Sequence, residues 1–98
     1  MVRHIVIWKL NDVAKAKGAD AVVKEIQGEF DAVMGKIDGL MLAKVSKNLL
    51  DEEYEMMLYT EFTDFEAAKA YQPHPLHQAI KKMVAGYTSG RVAFDAQA

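Results

Sequence analysis

The sequence predicts an α+β fold of order βαββαβ. In it, a four-stranded antiparallel sheet carries helices on one face and meets a second copy of itself on the other. Three observations carry this expectation. Short runs that alternate with period two are interleaved with two longer runs at helical spacing. Two prolines, Pro73 and Pro75, interrupt the second helical run without ending it. The middles of three strands are apolar on both faces, and a chain of 98 residues has too little material to cover both.

The elements follow in order. Residues 3–10 alternate as a strand, with His4, Val6, Trp8 and Leu10 on one face and Arg3, Ile5, Ile7 and Lys9 on the other. Asn11 and Asp12 end it. From about Lys17 to Ile37 the apolar residues Val22, Ile26, Phe30, Val33 and Ile37 keep helical spacing, within an arc of about 120°. Gly28 and Gly35 fall on the polar side of that helix and weaken it by about 1 kcal/mol each relative to alanine. Asp38-Gly39 is a stop, and Leu40–Val45 is the second strand. A polar connection over 46–53 leads to a third strand, Met56–Phe62. Thr63-Asp-Phe-Glu66 has capping-box spacing and opens a short helix ending near Tyr71. After the prolines, Pro75–Val84 forms a helix with Leu76, Ile80, Met83 and Val84 on one face; Gly86 stops it, and Arg91–Asp95 is the last strand. This is the split-βαβ, ferredoxin-like order in a single domain spanning 1–98. The doubly apolar strands then require a homodimer, sheet facing sheet.

Composition excludes several classes. With 51% hydrophobic and 27% charged residues the chain is a folded globular protein. A formal charge of −2, with lysines only in short pairs, gives no electrostatic reason to bind nucleic acid. The absence of cysteine removes disulfides, thiolate metal sites and a cysteine nucleophile. The apolar run at Ile5–Trp8 is too short for a signal-peptide core or a membrane span, so no membrane partner is expected and the cytoplasm is the expected compartment. There is no glycine-rich phosphate loop and no Gly-x-Ser-x-Gly elbow.

The most informative segment is Tyr71-Gln-Pro-His74-Pro-Leu-His77, which gathers two of three histidines, one of four tyrosines and both prolines. A helix starting at Pro75 puts His77 in its first turn, at the edge of the apolar arc, where a cavity-lining group would sit. The helix dipole and partial burial both favour a neutral imidazole there, as a general base requires. Tyr71 is a natural partner, because a phenol donates to a developing enolate oxygen, although a core aromatic closing the helix is the simpler reading. His4, alone in an apolar row, must find a partner, either a carbonyl or a ligand. Strand parity puts Val6, Trp8 and Leu58 beside it as cavity wall. A metal set of His74, His77 and His4 or Asp95 is disfavoured, since His74 precedes the helix and need not share a face with His77.

Arg3-His4-Ile-Val-Ile-Trp-Lys9, Phe62-Thr-Asp-Phe-Glu-Ala-Ala68 and Tyr71-x-x-His74-Pro-x-His77 with Phe94-Asp95 resemble the stress-responsive dimeric α/β-barrel (Dabb) domain family. The resemblance spans nearly the whole chain and implies ferredoxin-like subunits whose sheets pair into a dimeric barrel. It also implies, from a cyclase of that family which closes a linear polyketide without metal or organic cofactor, an acid–base role for His77 and an assisting role for Tyr71. His4 and His74 match further histidines of that cyclase, as candidate substrate-binding groups, although the place of His74 just before the helix is more simply read as serving the corner than the chemistry. The pocket wall does not transfer, because Thr60, Thr88 and Arg91 are polar where a long alkyl chain would need apolar cover. Three functions stay open: a cofactor-free proton-transfer enzyme, a binding protein for a small apolar or aromatic compound, and a stress-protective oligomer.

Overall fold

The computed structural model describes residues 1–98 as β1 (Val2–Leu10), α1 (Asp12–Lys17), α2 (Ala19–Val33), β2 (Leu40–Lys47), β3 (Met56–Phe62), α3 (Phe65–Tyr71), α4 (Pro75–Ala85) and β4 (Thr88–Gln97). All strand pairs are antiparallel, in the order β2-β3-β1-β4. The expected ferredoxin-like sheet is therefore present, with β1 central and β4 on one edge.

Several boundaries differ from expectation, each for a local reason. The helix expected from about Lys17 is α2, and a further short helix, α1, precedes it. The Asn11 side chain accepts the Ala14 N–H at 2.9 Å and nucleates α1 immediately after β1. Gly18, at φ +102°, then breaks the run before α2. α2 stops at Val33 because Met34 turns extended and Gly35 adopts φ +83°, so Gly35 belongs to a turn and does not weaken the helix. That turn still delivers Ile37 to the core. The cap of α3 is Asp64, not Thr63: its carboxylate accepts the Ala67 N–H at 2.8 Å. β4 starts three residues before the expected Arg91 and continues two past Asp95.

The helix-side face of the sheet holds Val2, His4, Val6, Trp8 and Leu10 of β1, with Met56, Leu58, Thr60 and Phe62 of β3. Against it α2 buries Val22, Ile26, Phe30 and Val33, and α4 buries His77, Ile80 and Val84. Gln27 fastens α2 to the edge strand β2: its amide donates to the Ala43 carbonyl at 3.0 Å and accepts the Val45 N–H at 2.7 Å. The unbroken apolar run of β2 resolves into a register shift between Leu40 and Leu42. Leu40 and Ala43 point to the core while Met41 and Leu42 stay exposed. No helix is long and apolar enough to cross a membrane.

The opposite sheet face has no covering layer. Register places Ile5 between Tyr59 and Phe94, and Ile7 between Met57 and Val92. Val92 and Phe94 are exposed, at 46% and 64%.

Candidate functional site

A cavity of about 390 Å³ opens between α4 and the β1/β4 side of the sheet. That is within the range of small-molecule sites. Val6, Trp8 and Leu58 wall it, as strand parity predicts, joined by Phe30, Ile80 and Val84 from the helix layer.

Both His4 and His77 line this cavity, and each is oriented through Nδ1. His77 Nδ1–H donates to the Tyr71 carbonyl at 3.0 Å and, more weakly, to the Gln72 carbonyl at 3.3 Å. These are the carbonyls that the proline corner frees at the end of α3. His4 Nδ1–H donates to the carboxylate of Asp95, its cross-strand neighbour on β4. The partner of His4 is thus a carboxylate, not a backbone carbonyl. With Nδ1 occupied in each ring, Nε2 is the atom left for a ligand. Burial, chiefly, lowers the pKa of His77 to about 4, so its imidazole is neutral at ordinary pH.

Tyr71 lies between the two imidazoles. Its ring stacks on His77 with centroids 3.6 Å apart and meets His4 and Phe62 at 6.2 and 4.9 Å. It does not line the cavity, so its expected approach to a substrate through the hydroxyl is not what the packing provides. The hydroxyl is buried without a hydrogen-bond partner, and burial pushes its pKa well up. What Tyr71 does offer the site is its ring face and its carbonyl, both applied to His77.

His74 also stays off the cavity wall. Its Nδ1 accepts the Leu76 N–H at 3.1 Å and caps α4, so its expected place among substrate contacts gives way to a structural one. Thr60 is likewise absent from the lining, because its hydroxyl donates to the His4 carbonyl at 2.6 Å. Thr88 and Arg91 do line the cavity. Residue spacing alone missed the pairing of Asp95 with His4, and it missed Lys81 altogether. Asp95 could be placed only through the β1/β4 register. Lys81 could have been found one helical turn after His77.

The chain matches the family model of the stress responsive A/B barrel domain over residues 2–98. It is 32% identical over 81 residues to an uncharacterised protein of Streptomyces coelicolor, an alignment covering 81% of each chain. Among solved structures it is similar to a dimeric ferredoxin-like protein of unknown function from Bacteroides fragilis. That likeness has 28% identity and a TM-score of 0.85, covering 99% of this chain and 95% of the other. A hydroxynitrile lyase from Passiflora edulis shares the fold at 14% identity and TM-score 0.74, covering 97% of this chain and 90% of that one.

Proposed function

This chain belongs to the stress responsive A/B barrel domain family, and on that premise we propose a homodimer whose subunits each bind a small carbonyl compound and move a proton on it without a cofactor. The observation that carries this reading is the pair of buried histidines on one cavity, each fixed through Nδ1 and each presenting Nε2. His77 is the proton acceptor. Its Nε2 takes a proton from the carbon beside a carbonyl, and the C–H electron pair passes into an enolate. The enolate carbon then bonds to a second carbonyl carbon of the same molecule, closing a ring. The alkoxide formed there recovers the proton from the His77 imidazolium, so the step is a redox-neutral aldol closure. His4, oriented by Asp95, presents Nε2 as an acceptor for a hydroxyl or enol proton of the ligand. Tyr71 positions His77 through the stack and its carbonyl.

A second reading, ligand binding without turnover, draws support from the same ring. An imidazole with a pKa near 4 is a weak base at neutral pH, and catalytic bases work best near the ambient pH. The Passiflora lyase, which is similar in fold only, marks how widely chemistry varies on this scaffold.

A panel of β-keto thioesters and small aromatic ligands, assayed on wild type and His77→Ala, decides between the two. Turnover that falls about 10²–10⁴-fold in the variant, with the oligomer and melting temperature nearly unchanged, is the expected result. Binding by both proteins with turnover by neither selects the binding reading. Loss of folding in His77→Ala assigns the histidine to structure.

A further inference from the structure

The cavity is not uniformly apolar. Lys81 and Arg91 both line it, one from the helix layer and one from the sheet, and no Asp or Glu does. Neither cation forms an ion pair within the chain. Lys81 follows His77 by one helical turn on α4. Its charge adds, after burial, to the depression of the His77 pKa, so it is felt inside the cavity. Arg91 pairs with Trp8 in the β1/β4 register and therefore projects on the same side of the sheet as the apolar wall. The Ser89 and Gly90 segment lies beside it. Two unpaired cations at one cavity stand out in a chain whose formal charge is −2. The lining therefore grades from an apolar wall of Val6, Trp8, Leu58 and Ile80 to a cationic rim.

We infer that the ligand of this cavity is a small apolar acid, its ring or chain against the apolar wall and its carboxylate held between Lys81 and Arg91. This deepens the pocket reading above and rests on it. A guanidinium presents paired donors that match a carboxylate, and an ammonium adds a second charge without demanding a fixed angle. A carboxylate at the rim leaves the far end of the ligand to His4 and His77, so the rim sets which carbon faces Nε2. Specificity then resides in the distance between the acid group and the reacting carbonyl.

Trp8, the only tryptophan, walls the cavity and reports on it by fluorescence. Titrating 2-naphthoate and its uncharged counterpart 2-naphthamide into wild type is expected to show the acid binding about fivefold more tightly, as a solvent-accessible ion pair allows. The preference is expected to shrink at high salt and to vanish in Lys81→Gln/Arg91→Gln, with the melting temperature held. Equal binding of acid and amide to wild type would overturn the acid assignment while leaving the pocket standing. Binding of neither probe would remove the pocket reading itself. Competition by adenosine 3′,5′-bisphosphate, lost in the same double variant, would assign the cations to a phosphorylated carrier and overturn the free acid.

Discussion

At the residue scale the site depends on one imidazole being kept neutral. His77 has its Nδ1 proton committed to the Tyr71 carbonyl, and burial holds its pKa near 4 against an ordinary 6.5. The unfolded chain therefore binds a proton on this residue at a higher pH than the folded one does. Stability from this group is complete above about 6.5 and is lost as pH falls toward about 4. The expected outcome is a melting temperature that drops more steeply between those pH values in wild type than in His77→Gln. Parallel curves would mean that His77 titrates freely in the folded state. How far this site was legible follows from the same residues. The proline corner announced His77, because Pro73 and Pro75 force a break whose carbonyls a first-turn side chain can reach. The sealing of the Tyr71 hydroxyl was not legible, since it depends on Phe62, His4 and His77 closing around one ring from three elements.

At the element scale two glycines have opposite meanings. Gly28 lies within α2, with open space where a Cβ would go. Gly39, at φ +83°, leads into β2 with its absent Cβ only 2.4 Å from the Ala67 Cβ and 2.9 Å from the Thr63 Oγ1. Gly28→Ala is expected to stabilise the protein by about 0.5–1 kcal/mol through helix propensity. Gly39→Ala is expected to destabilise it by roughly 1–3 kcal/mol, since the backbone must leave a left-handed conformation and α3 must move. Denaturant melts of the two variants check this, and a common sign would refute the packing of α3 on the β2 entry. Periodicity found the strands and the α4 face because those residues alternate or recur against one core. It missed α1, a six-residue helix that buries only Ala14, because the Asn11 cap and the positive φ at Gly18 that bound it leave little trace in an apolar pattern.

At the scale of the whole molecule the proposed homodimer is tested on the open face of the sheet. Ile5, Ile7, Met57, Val92 and Phe94 share that face, with Leu42 on the β2 edge, whereas Arg3, Glu61, Lys44 and Ser46 place polar groups toward one end and along β2. The apolar patch is thus displaced toward β1 and β4, and a second copy centred there would cover it. The Tyr59 hydroxyl donates to Glu61 at 2.6 Å, tying down one polar group of the rim. Sheet-to-sheet pairing removes apolar surface from water at about 25 cal/mol per Å², so two exposed side chains such as Val92 and Phe94 already carry a substantial share of it. Light scattering on wild type at micromolar concentration is expected to give twice the 10.9 kDa chain mass. A carboxylate placed in the patch must either be buried unpaired or stay in water, which opposes pairing. Ile7→Glu, at the centre, is expected to yield monomer, aggregate or an unfolded chain. Phe94→Glu, on the edge strand and 64% exposed in the single chain, keeps the subunit core intact and is expected to yield a folded monomer. A Phe94→Glu protein that stays dimeric at the same concentration would place the interface elsewhere, and a wild type that runs as a well-folded monomer would leave the open face without a partner.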